Sequence, residues 1–288
     1  MTLIVGDKGH LYAYTADSLA EYIRRIGLIR PSYRMYFRGL SKATYDLSPS
    51  INRLMKTDGK NTWLNKESEL VEFAEQSHPE LFNRNLPTLL LANMQHFGIP
   101  TRMLDVTENA LVALYFACKN DEVDGKVIVF DGIPYSAYNP YANIIADTYR
   151  LTDKSAFYVQ DYVYKIYHQD YASTLVYPGW ESSDHKELLN KIRNPMIIDV
   201  GNNNSRQQNQ KGKFILFPNV INDGFIGNEL INLDPADDIV YAVIRIPKES
   251  KAKIRSQFDF LGMSESFIFP DNISIHFEEI KNQICNEG

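Results

Sequence analysis

Five polar side chains set among apolar residues are the first candidates for chemistry. They are Arg38 in SYRMYFRGL, His96 at the end of PTLLLANMQHFG, and Arg102, Asp105 and Thr107 in IPTRMLDVT. Each adjoins residues that should be buried, and a charge withdrawn from water is costly unless it is paired or meets a ligand. Arg102 and Asp105 have a bland reading, in which they pair with each other across the turn and fix the start of the next helix. His96 has one too, as a satisfied capping or core residue. Arg38, between a run of aromatics and a glycine at the end of what reads as a strand, poses the open question of what it holds.

Other chemistries are disfavoured. There is no G-x-x-x-x-G-K-[ST] loop, no G-x-G-x-x-G after a strand and no G-x-S-x-G elbow. The six histidines, His10, His78, His96, His168, His185 and His276, are scattered without H-x-x-x-H spacing, so no zinc site is expected. A magnesium-dependent nuclease has little support, because no carboxylate cluster has metal-binding spacing. The net charge of −6 argues against a protein that holds nucleic acid mainly by neutralising phosphates, although a local basic groove stays open. Two cysteines, Cys118 and Cys285, are too few for a disulfide framework, which points to a reducing cytoplasm. Met1 to Tyr14 has no leader pattern, and no segment approaches the roughly 20 apolar residues of a membrane span. A cytoplasmic chain with no membrane partner is therefore expected.

The elements that must position these residues can be read in outline. TADSLAEYIRRIG predicts an amphipathic helix with Ser18 and Glu21 in capping-box relation and Gly27 as a stop, and RMYFRG a short strand. A helix is predicted from Asn65 to Asn83, ended or kinked by Pro79, and another from Pro87 to Gly98. IPTRMLDV is extended, and Thr107 is the expected N-cap of ENALVALYFACKN. Strands are expected at GKVIVFD, PMIIDVG, GKFILFP and DIVYAVIRIP, then a helix ending at Gly262 and another over Ile273 to Ile284. Helices first and strands later give an α+β class, with one domain over the whole chain.

Residues 133–194 interrupt the strands with a segment rich in tyrosine, from Tyr135 to Tyr177, expected to be a mostly helical insertion. Its tyrosines have two readings: a small subsidiary core, or a platform on which bases or a partner protein stack.

The string LLLANMQHFGIPTRMLDVTENALVALYFAC closely resembles the central motif of the FRG-domain family, whose naming tripeptide stands here as Phe37-Arg38-Gly39. Arg206, Gln210, Gly212 and Phe214 resemble a third family block and LGMSESFIFPD a fourth, while Val106 stands where the family usually has Trp. The order of blocks is similar to that of ADP-ribosyltransferases of the Arg-Ser-Glu type. This resemblance implies a mixed, split β-sheet flanked by helices and an activity in which nicotinamide leaves NAD and an acceptor attacks the ribose.

By that resemblance, Arg38 binds the NAD phosphates, a role suited to a guanidinium, and Thr107 supports the nicotinamide ribose. Phe37, Gly39, His96, Arg102 and Gln210 complete the NAD-facing set. Gly212 occupies the position where those transferases carry a Glu. Glu265 is the substitute carboxylate, with an exposed helix-cap role as its alternative, and Glu108 is a further candidate. The resemblance also implies a bacterial toxin, in a toxin-antitoxin system or in phage defence, that modifies RNA or a protein and is held by an antitoxin. The competing class is a nucleotide-binding sensor module that keeps the arginine pocket without turnover.

Overall fold

The computed structural model describes residues 2–6, 9–52, 63–82, 86–152, 157–175, 185–201, 211–222, 224–234 and 237–269. Two strands the sequence reading did not anticipate, β1 (Thr2–Gly6) and β2 (Gly9–Thr15), precede α1 (Leu19–Leu28) and pair antiparallel. Strands therefore precede the first helix of the described order, which corrects the expectation of helices first. Ser18 caps α1 by accepting from the N–H of Glu21 at 3.3 Å.

The next elements carry the candidate residues. They are β3 (Arg34–Leu40), α2 (Trp63–Ser77), α3 (Pro87–His96), β4 (Met103–Thr107), α4 (Ala110–Ala117) and β5 (Gly125–Gly132). Helix α2 stops at Ser77, just short of His78-Pro79, because the residue before a proline is pushed out of the helical region. Helix α3 starts on Pro87 and ends before Gly98, whose φ of 80° is the left-handed conformation that glycine adopts cheaply.

The tyrosine-rich segment supplies β6 (Tyr135–Ser136), α5 (Pro140–Ala146), α6 (Thr148–Leu151), β7 (Phe157–Tyr158), α7 (Val159–Tyr167), a 3-10 turn (Asp170–Leu175) and α8 (Lys186–Ile192). The chain continues through β8 (Met196–Asp199), β9 (Gly212–Leu216), β10 (Asn219–Asn222), β11 (Phe225–Leu230) and β12 (Val240–Ile246) to α9 (Lys248–Phe260) and α10 (Glu265–Ile268). The helix expected over Ile273 to Ile284 lies outside the described residues.

Among the described residues, nine strands form one mixed open sheet in the order β1-β2-β12-β5-β3-β4-β9-β8-β6, and β10-β11-β7 form a second, antiparallel one. In the large sheet β2 with β12 and β6 with β8 run parallel, and the other neighbours run antiparallel. The chain is thus α+β, with a mixed sheet flanked by helices.

Period-two alternation sorts the strand residues into faces. On one face, Tyr36, Ile128 and Phe130 join Leu104, Val106, Ile197, Ile215 and Phe217 in a core that runs across the middle of the sheet. On the other face there are two cores. One packs Phe37, Val127 and Val129 against α1, α4 and α9; the other packs Met103, Phe214 and Leu216 against α2, α3 and the tyrosine-rich segment. The boundary between them follows the junction of β3 and β4, where the register is a single pair, Phe37 opposite Thr107. By contrast β3 pairs with β5 over its whole length.

The tyrosines follow mainly the core reading: Tyr149 and Tyr162 are buried, and Tyr141, Tyr167 and Tyr171 pack against the same cluster. Tyr135, Tyr138, Tyr158 and Tyr164 are exposed.

Candidate functional site

The gap between β3 and β4 is a cavity of about 240 Å³. Its walls come from β3 (Phe37, Arg38, Gly39), the end of α3 (Gln95, His96), β4 (Asp105, Val106, Thr107), α4 (Val112, Ala113, Phe116) and β9 (Gly212, Lys213, Phe214). Six of the residues singled out by sequence as candidates, Phe37, Arg38, Gly39, His96, Asp105 and Thr107, thus converge on one concave space.

Gly39 explains how close the wall is. A Cβ built there would lie 1.8 Å from the carbonyl oxygen of Ala113, so only glycine lets α4 lie against β3. Gly125 on β5 meets the same helix, with a Cβ 2.3 Å from the Ala117 oxygen. The helix is set at its start by Asn109, whose side chain accepts from the N–H of Leu111 at 3.0 Å. Thr107 is therefore not the N-cap expected from sequence. It is the last residue of β4, and its hydroxyl accepts from the N–H of Asn109 at 2.9 Å, leading the chain from strand to cap.

Arg38 bridges the gap. Its Nη1 donates to the backbone oxygen of Asp105, 67 residues on, and lies 3.9 Å from the Asp105 carboxylate. A side chain thus makes the cross-strand bond that the diverging backbones do not. The ion pair is solvated, with the Asp105 side chain 62% exposed, so it contributes little to stability. Arg38 has a nearby carboxylate and also lines an open cavity.

Arg102 takes a different place from the one expected. Residues three apart in an extended segment point to opposite faces, so Arg102 and Asp105 do not pair. Arg102 is fully buried and bonds Glu67 on α2 through Nε at 2.9 Å, Ile145 O on α5 at 2.9 Å and Asn219 Oδ1 on β10 at 2.8 Å. It clamps the start of β4 and is not a cavity residue. A second polar knot ties the start of α3 to the tyrosine-rich segment: Thr88 Oγ1 donates to Ala137 O at 2.8 Å, and Asn143 Nδ2 to the same oxygen at 2.7 Å. Both ends of the Gln95–His96 support are thereby fixed.

Glu265 is not among the cavity residues. It opens α10, where Lys119 Nζ lies 2.8 Å from its carboxylate, and that ammonium sits over the Phe269 ring at 4.8 Å. Glu108 follows β4, and its N–H donates to Lys211 O. Arg206 and Gln210 lie outside the described residues. Lys213, on the cavity wall, is nearly buried and pairs with Asp199 at 2.8 Å. Burial works against ionisation of Asp199, but Lys213 and the Gly201 N–H outweigh it and hold its carboxyl below the usual value.

Gln95 was not assigned to the site from sequence, and Asp105 was weighed there only as a partner of Arg102; both line the cavity. For Asp105 a signal existed: two residues before Thr107 on a strand, it must share the face of Thr107. Gln95 precedes His96 in the last turn of α3 and stands within the family motif at QHFGIPTR, although no role was assigned to it. Among the described residues, no group of three or more His, Cys, Asp or Glu is arranged to hold a metal ion, and no helix is long and apolar enough to cross a membrane.

No curated protein and no solved structure matches the chain. A family model does, and it ends before the tyrosine-rich segment and the blocks around Gly212 and Gly262. Residues 33–126, which hold Phe37, Arg38, Gly39, Gln95, His96, Asp105 and Thr107, match the model of the FRG domain.

Proposed function

We propose that the protein is an NAD-dependent ADP-ribosyltransferase with an ADP-ribosyltransferase-like split sheet, acting on RNA or a protein as a toxin governed by an antitoxin or in phage defence. The observation that carries this reading is the convergence of Arg38 and Thr107 on one cavity at the sheet gap. In it, Arg38 holds the pyrophosphate through charge-assisted hydrogen bonds, and Thr107 supports the nicotinamide ribose. Phe116 and Phe214 offer apolar walls for the nicotinamide ring. A volume of about 240 Å³ falls below the ~300–1,000 Å³ of sites that enclose drug-sized ligands, so it suits one end of the dinucleotide.

The chemistry asked of the chain is orientation and charge stabilisation. The bond between ribose C1′ and the nicotinamide nitrogen breaks, its electron pair leaving with nicotinamide. The acceptor attacks C1′, and His96, on the cavity wall, takes the acceptor's proton.

The test is purified protein with labelled NAD and cell lysate, scored for label in the RNA and protein fractions and for free nicotinamide. Labelling of either fraction, abolished by Arg38→Ala, is the expected result. A second reading, a sensor module that binds a nucleotide without turnover, is favoured by Gly212 standing on the cavity wall where a Glu would be expected, with Glu265 held elsewhere by Lys119. NAD binding with neither labelling nor nicotinamide release in any fraction would establish that module instead.

A further inference from the structure

We infer that Asp105 is the carboxylate of this site, turned toward the substrate by Gln95; the inference rests on the transferase reading. The orientation follows from a chain of hydrogen bonds. Thr101, fully buried, accepts from the N–H of Met103 at 3.1 Å, and its single hydroxyl proton goes to Gln95 Oε1 at 2.7 Å. With Oε1 on that proton, Gln95 Nε2 faces Asp105 and donates to its Oδ2 at 3.1 Å. Arg38 holds the same residue from the other side, through its backbone oxygen and, at 3.9 Å, Oδ2. Asp105 Oδ1 is left without a hydrogen bond among the described residues, on a strand residue whose neighbour two positions on is Thr107.

The electrostatics suit the reaction. Breaking the C1′–nitrogen bond leaves positive charge on the ribose ring, and a carboxylate already positioned at the cavity wall stabilises that charge without reorganising. Asp105 is solvated, and a bound ligand that displaces water strengthens its field. Arg38 and Asp105 then divide the dinucleotide between them, the cation at the phosphates and the anion at the ribose. The acceptor's proton still goes to His96, so Asp105 neither gives nor takes a proton in the step.

Two variants test this, with NAD affinity measured by calorimetry and nicotinamide release measured in the presence of lysate RNA and protein. Asp105→Asn keeps the shape and the amide contact. We expect NAD to bind as tightly as in wild type or tighter, since a negative charge near the phosphates is gone, while release falls by about 100- to 1,000-fold. Gln95→Ala should lower release by up to about 100-fold in the wild-type background and change it little in the Asp105→Asn background, because its effect passes through Asp105.

Release at the wild-type rate in Asp105→Asn, with Arg38→Ala inactive, overturns the assignment and leaves the transferase reading standing. Loss of NAD binding in a folded Asp105→Asn also overturns it, since Asp105 would then serve only to place Arg38. Wild-type protein that binds NAD and releases no nicotinamide removes both the transferase reading and this assignment.

Discussion

Two arginines that look alike in sequence do opposite work. Arg102 spends its donors on Glu67, Ile145 and Asn219 in the interior, whereas Arg38 stands at a cavity near the solvated carboxylate of Asp105. Removing one partner of a buried pair strands the other charge. Glu67→Ala should therefore lower unfolding free energy by about 3–5 kcal/mol in urea titrations. Asp105→Asn, touching only a solvated pair, should stay within about 0.5 kcal/mol of wild type. Equal losses in the two variants would refute the division of roles. Sequence could find both arginines, because a charge embedded in apolar residues is visible in one dimension. It could not assign the partner of Arg102, since Glu67 is 35 residues away on α2.

At the level of elements, the site depends on how closely α4 lies on β3 and β5. The small residues Gly39, Ala113, Ala117 and Gly125 set that distance. Gly39→Ala should cost about 3 kcal/mol, because the new methyl group meets helix backbone and not a side chain that can move aside. Asn109→Ala should cost about 1 kcal/mol by freeing the Leu111 N–H, and urea midpoints would measure both. Most helices and the central strands were legible from periodicity and caps. The N-terminal hairpin was missed, although TLIVG and GHLYAYT are two short runs that each carry a glycine at their facing ends. The cap of α4 was misplaced by two residues because Thr107 and Asn109 both suit a helix start, and only the strand pairing of Thr107 with Phe37 decides between them.

The whole molecule carries a pH signature in its buried acids. Burial pushes the Cys118 thiol up to about 12, and burial, aided by the nearby Glu108, pushes the Tyr36 phenol to about 12 as well. Tyr22, Tyr162 and Tyr171 are raised too, chiefly by burial. These groups are neutral when folded and ionise more readily when unfolded. Their contribution is intact below the unfolded values of 9 for the thiol and 10 for the phenols, and is lost as pH rises toward 12. Melting temperature should hold between pH 7 and 8.5 and fall steadily from pH 9 to 11.5. A flat profile across that range would show that these side chains are not buried as described.

The linear chain, read alone, settled many local matters: most of the helices and the central strands, the embedded charges, and the FRG-domain motif that runs from Phe37 through Thr107. These follow from spacing and side-chain type, which short segments carry within themselves. The long-range matters needed the folded chain. Only there does β3 meet β4 at the single pair Phe37 and Thr107, opening the cavity, and only there does Arg102 turn inward while Asp105 turns to face Arg38. Strand pairing and burial depend on residues far apart in the chain, and no local pattern encodes which distant partner a side chain will meet.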